Sequence, residues 1–142
     1  MMRILFIFLF SVFVCSVQAN TAPTVSVLTL HSLPPVVLPD NSIPVTVYYL
    51  DDYQSGITSI NQQLQGLSES DATEKAKTVI TNSANKIQQA AQGLYLAYRF
   101  NIHEVPAIII NDNVVVFGAT NVNIALDPYL TRLNEQAHGV PA

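Results

Sequence analysis

The chain has 142 residues, 49% of them hydrophobic and 11% charged, with a net charge of −4. That length fits one domain. The basic residues beyond Arg3 (Lys75, Lys77, Lys86, Arg99 and Arg132) are scattered, and the absence of a basic patch disfavours nucleic-acid binding.

Met1-Met2-Arg3 is a short positive start, followed by an apolar run over residues 4–17 and by Val17-Gln18-Ala19, which places small residues ahead of a cleavage point. This pattern predicts a secretory signal peptide over residues 1–19 and a single domain over residues 20–142. The run is shorter than the ~20 apolar residues a membrane span needs, so the mature form is expected to have none. Val14 precedes Cys15, which argues against a lipoprotein attachment site. Cys15 is the only cysteine, so removal of the leader excludes disulfides, thiol redox chemistry and cysteine-bound zinc together. Removal also takes away Arg3 and none of the acidic residues, moving the net charge from −4 to −5.

Residues 24–30 read as a strand, with Val25 and Val27 on one face. The segment His31-Ser-Leu-Pro-Pro-Val-Val-Leu-Pro-Asp-Asn-Ser-Ile-Pro44 holds four prolines and is expected to be an extended connection. Residues 43–50 read as a second strand, apolar on both faces, as in a central strand of a layered α/β domain. Asp51-Asp52 then reads as a cap for a helix marked by Tyr53, Ile57, Ile60, Leu64 and Leu67, with Gly66 as its stop. Ser70-Asp71, with Glu74 three residues on, predicts the start of a long helix, bent if anywhere near Asn82-Ser83. Its expected apolar stripe is Ala72, Ala76, Val79, Ile80, Ala84, Ile87, Ala91, Leu94 and Tyr98. Ala107–Ile110 and Val114–Phe117 flank a tight turn at Asn111-Asp112-Asn113, a hairpin pattern. A last helix covers residues 121–136, with Pro128 marking either its start or a kink.

No residue set makes a catalytic constellation, and no cofactor or metal is expected. His31-Ser32 lacks a third member, and neighbours on an extended segment point to opposite sides. His31, His103 and His138 show no ligand spacing, so His103-Glu104 reads as a solvated turn pair. Tyr48, Tyr49, Tyr95 and Tyr98 read as core or core-edge residues rather than as an aromatic patch. Gly118 reads as a backbone requirement at a strand end.

The stretch Leu96-Ala-Tyr-Arg-Phe-Asn-Ile-His-Glu-Val-Pro-Ala-Ile-Ile-Ile110, followed by Val114-Val-Val-Phe-Gly118, resembles the second half of a thioredoxin-like domain. The resemblance implies an α/β fold with a four-stranded mixed sheet, a helical insertion before the cis-proline strand, and Val105-Pro106 in cis beside the loop after the first strand. That loop carries Cys-x-x-Cys in redox relatives; here it reads Leu30-His-Ser-Leu-Pro-Pro35, and the fold's first helix is missing.

The match extends further. Val45-Thr-Val-Tyr-Tyr-Leu-Asp-Asp52, Gly93-Leu-Tyr-Leu-Ala-Tyr98, Val105-Pro-Ala-Ile-Ile-Ile-Asn-Asp112, Val114-Val-Val-Phe-Gly-Ala-Thr-Asn-Val122 and Ala125-Leu126 together resemble a family of small exported proteins encoded by integrating conjugative elements of Gram-negative bacteria. That family is similar to the thioredoxin-like pilin-assembly proteins of F-type conjugation systems. Phe117 and Asn121 depart from its usual Tyr and Asp. The resemblance implies a redox-inactive periplasmic accessory of a type IV secretion, or mating-pair, apparatus, with a pilin or channel component as protein partner. His31, Ser32, Val105 and Pro106 are the contact residues it suggests. The alternative is a generic periplasmic binding or chaperone module with no role in conjugation.

Overall fold

The β-branched and aromatic segments Val25-Ser-Val-Leu-Thr29 and Val45-Thr-Val-Tyr-Tyr49 form strands β1 and β2 in a computed structural model, which describes residues 22–39 and 43–137. The remaining elements are helix α1 (Asp51–Leu64), helix α2 (Glu69–Arg99), strands β3 (Ala107–Ile110) and β4 (Val114–Phe117), and helix α3 (Val122–Ala137). The expected leader over residues 1–19, Cys15 within it, and His138 lie outside the described residues. Among the described residues no helix is long and apolar enough to cross a membrane.

The four strands make one mixed sheet in the order β2-β1-β3-β4, so β2 is an edge strand with no fully buried residue and not the central strand its two apolar faces suggest. β1 runs parallel to β2, from Val25 opposite Val45 to Thr29 opposite Tyr49. β1 is antiparallel to β3, and β3 to β4. This α/β architecture is compatible with a thioredoxin-like fold. Strand alternation divides the core in two. Val25, Val27, Ile108 and Ile110 face α3, which contributes Val122, Ala125 and Leu126. Leu28, Ala107 and Ile109 face the other way, against Leu96 near the end of α2 and Ile102 just beyond it. β1 and β3 are buried on both faces, which explains why their apolar runs are almost continuous.

Turn chemistry fixes the connections. Asn111 and Asp112 both take left-handed backbone angles (φ 49° and 51°), and Asn113 N–H donates to Ile110 C=O at 3.1 Å. Three residues, Asn111 to Asn113, thus link the last ladder pair, Ile110 and Val114, and the left-handed angles suit Asn and Asp. The proline-rich segment carries no helix in its described part. It is stitched to the start of α3: Val37 N–H donates to Thr120 C=O (2.8 Å) and Val122 N–H to Val37 C=O (3.0 Å). Asn121 caps α3, its Oδ1 accepting from Asn123 N–H at 3.0 Å.

Several expected details change. α3 begins before Pro128, which sits inside the helix. α2 begins at Glu69, one residue ahead of Ser70, with Ser68 as its cap: Ser68 Oγ accepts from Asp71 N–H at 3.3 Å and donates to the Asp71 carboxylate at 2.7 Å. α2 then continues without interruption through Asn82-Ser83. Gly66 ends the preceding turn at φ 78°, as expected. The apolar stripe of α2 is rotated from the expected one. Val79, Ala90, Gly93 and Leu96 are buried, whereas Ile80, Leu94 and Tyr98 are exposed. The sheet takes one narrow strip of the helix, and small residues in that strip let the backbones approach.

Gly93 makes the approach visible. A Cβ there would lie 2.7 Å from Tyr48 Cβ and 2.8 Å from Leu50 Cδ2. Gly56 plays the same part between the two helices, where a Cβ would meet Ile87 Cγ1 at 2.7 Å.

Candidate functional site

The parallel pairing of β1 and β2 brings their C-terminal ends to one edge of the sheet, and antiparallel β3 starts at that same edge. Leu28 opposite Ala107 is the last pair of the β1–β3 ladder. The loop that begins at Leu30 and the segment Val105-Pro106 therefore share one end of the fold. The Val105-Pro106 peptide bond is cis. Val105 is half-buried against the Leu28 cluster, and Pro106 C=O accepts from Gly118 N–H at 2.8 Å. Gly118 has φ 72°, a left-handed angle that accounts for glycine at this strand end.

At this end a group of polar side chains converges on His31. The His31 ring stacks on Tyr49, with centroids 4.1 Å apart and planes 4° from parallel. His31 Nε2 lies 2.9 Å from Asp52 Oδ1. His31 N–H points at the Asp51 carboxylate, 3.2 Å from one oxygen and 3.4 Å from the other. Lys86, on α2, places its Nζ 2.8 Å from the same Asp52 Oδ1. Asp52 is buried, with 8% of its surface exposed. Burial is the largest single influence on its carboxyl group and pushes the pKa up. The hydrogen bonds and charges of Lys86 and His31 together outweigh it, and they hold the group below the ordinary carboxylate value.

These contacts correct two expectations. Asp51 and Asp52 do not cap α1: the cap position is Leu50, which makes no side-chain cap bond. The carboxylates sit in the first helical turn, a favourable place for negative charge, and turn outward to His31 and Lys86. His31 has the acidic neighbours that the sequence seemed to deny it, while Ser32 is exposed and joins none of these contacts. A signal for this existed. Thr29 and Tyr49 are paired in register, so stepping two residues past each places His31 beside Asp51.

The other singled-out residues fall elsewhere. His103 and Glu104 are both exposed in the turn before β3. Tyr48 packs into the core, and Tyr49 holds His31. Tyr95 and Tyr98 are exposed, at 55% and 88%, which corrects their reading as core residues. Both lie off the narrow strip that α2 presents to the sheet.

Beneath the proline-rich loop is a cavity of about 210 Å³, walled by Thr29, His31, Tyr49 and residues 33–36. Thr29 is only 1% exposed, and its Oγ1 has no hydrogen-bond partner. A buried hydroxyl in that condition costs about 1–3 kcal/mol, so it stands out at a cavity wall.

Residues 22–132 match the family model described as "Protein of unknown function (DUF1525)". No curated protein and no solved structure matches the chain.

Proposed function

The chain belongs to the DUF1525 family, and from that premise we propose that it is a redox-inactive, thioredoxin-like accessory protein of a conjugative type IV secretion, or mating-pair, apparatus. It is exported to the periplasm and binds a pilus or channel protein at the sheet end carrying His31, Ser32, Val105 and Pro106. The observation that carries this reading is the juxtaposition at that end. The loop after β1 and the Val105-Pro106 segment share that end of the sheet, where a thioredoxin-like substrate groove would lie, and the loop reads His31-Ser-Leu-Pro-Pro35 in place of a cysteine pair. A groove without a thiol retains recognition and lacks redox chemistry. Phe117, opposite Ala107 and 52% exposed, adds apolar surface at the same end.

Deleting the reading frame and measuring donor-to-recipient transfer tests the role. A large drop, restored by the wild-type gene, is expected; unchanged transfer refutes it. Pro106→Ala in a stably folded variant tests the groove, since unaltered transfer and partner capture would exclude that surface. Exposed Tyr95, Tyr98 and Ile80 on α2 favour a second reading, a generic periplasmic chaperone. That reading predicts suppression of aggregation of unrelated clients, whereas an assembly factor captures one or two specific proteins.

A further inference from the structure

We propose that His31, Asp51 and Asp52 form a binding site for one divalent transition-metal cation of the zinc type. One ligand atom from each residue can be chosen so that all lie within 4.8 Å of one another. Zinc bonds of about 2.0–2.1 Å set tetrahedral donor atoms about 3.3 Å apart. His31 Nε2 and Asp52 Oδ1, at 2.9 Å, are already near that edge length. An imidazole with two carboxylates is a borderline donor set that suits zinc-like ions better than magnesium or calcium, which take oxygen ligands.

The ligands stand on rigid supports. Asp51 and Asp52 belong to the first turn of α1, and His31 follows directly on β1 and Leu30. Stacking on Tyr49 fixes the plane of the imidazole, and the His31 N–H bond to Asp51 ties the two ligand-bearing segments together. Preorganisation of this kind lowers the entropy cost of assembling a site. The helix dipole accounts for two carboxylates in a first turn. It does not account for an imidazole seated on one of them.

A second observation points the same way. Three protein ligands leave a coordination position open to water or to an anion. His31 belongs both to the ligand set and to the wall of the 210 Å³ cavity, and Thr29, a buried residue whose Oγ1 has no hydrogen-bond partner, lines the same cavity.

Charge supports the assignment. Two carboxylates face one ammonium, that of Lys86, which bonds Asp52. Lys86 is 58% exposed and reaches Asp52 Oδ1 on a flexible stem. It acts as a built-in competitor that a doubly charged ion displaces.

The test uses untagged protein produced from the full reading frame, titrated with zinc chloride by calorimetry and equilibrium dialysis. One saturable equivalent is expected. His31→Gln and Asp52→Asn should each weaken binding at least about tenfold, a loss that even residues behind a ligand can cause. His103→Gln should leave binding unchanged, and Lys86→Met should tighten it severalfold. Asp51→Asn, at a half-buried position, carries the test if Asp52→Asn fails to fold. Zinc that does not saturate by about 1 mM overturns the proposal, a Kd matching only the weakest class of affinity. Binding that survives both His31→Gln and Asp51→Asn overturns it too. Equal affinity for calcium overturns the transition-metal assignment.

Discussion

Gly93→Ala should loosen the seam on which the whole fold depends. An alanine Cβ would sit 2.7 Å from Tyr48 Cβ and 2.8 Å from Leu50 Cδ2, against a favourable carbon–carbon separation of about 3.5–4.0 Å. Tyr48 Cβ is one bond from the β2 backbone and cannot rotate away, so α2 must lift from the sheet. Overpacking of this kind costs about 1–3 kcal/mol, and replacing glycine within a helix returns up to about 1 kcal/mol. The expected net loss is about 1–2 kcal/mol, a fall in Tm of roughly 4–8 °C for a domain of this size. Gly56→Ala is the internal control. There the obstructing atoms are Ile87 Cγ1 and Cδ1, at 2.7 and 3.1 Å, and both move with the side chain. Its clash is relieved by rotation, and the helix-propensity gain leaves it near neutral. Urea denaturation followed by far-UV circular dichroism, with equal m-values, compares the two. Gly93→Ala as stable as the wild type would refute the close-packing argument, as would Gly56→Ala being the worse of the pair.

Two further outcomes follow from the same geometry. Asp52 is held below its ordinary pKa despite burial, so the folded state binds its proton less readily than the unfolded state. Its stabilising contribution is present above the ordinary carboxylate value and disappears as pH falls through the lower folded value; Asp52→Asn should flatten that acid limb in urea midpoints taken from neutral to strongly acid pH. Ser68→Ala removes the cap of α2 and should cost about 1 kcal/mol, read by the same denaturation assay, whereas Ser70→Ala should cost almost nothing if the cap is where the hydrogen bonds place it.

The elements that sequence patterning located are those whose partners are close in the chain or whose burial is two-sided. The Asn111-Asp112 turn announces its hairpin because left-handed angles select those residue types locally. β1 and β3 are legible because a strand covered on both faces must be apolar throughout. The stripe of α2 was less legible. Its alanines and glycine are the contact residues, and an apolarity count gives them less weight than Ile80, Leu94 and Tyr98, which face outward. The site was hidden for another reason. His31 and Asp52 are separated by 21 positions, and only the parallel register of β1 and β2 brings them together. Lys86 arrives from a third element. Residue pairs that depend on a crossover leave no local period, and adjacent acidic residues before a helix match a cap pattern whether or not they cap.

The unusual placement of helices explains why the site can exist. With no described helix between β1 and β2, the proline-rich loop follows directly on β1, and proline makes it stiff without supplying N–H donors to satisfy what lies beneath. Thr29 Oγ1 is left unpaired under it. The helices inserted after β2 then deliver what the loop cannot. α1 opens with two carboxylates at the strand end, and α2 returns along the sheet with Lys86 spaced two helical turns before Gly93, the point of closest approach. The grip of Gly93 on β2 therefore sets the reach of Lys86 to Asp52. Gly93→Ala, by lifting α2, should weaken that ion pair and reduce the acid-dependent part of stability that Asp52 provides, while Gly56→Ala leaves it intact. An unchanged acid limb in a folded Gly93→Ala protein would mean that Lys86 follows Asp52 by side-chain flexibility alone, and that the helix seam and the His31 cluster are independent.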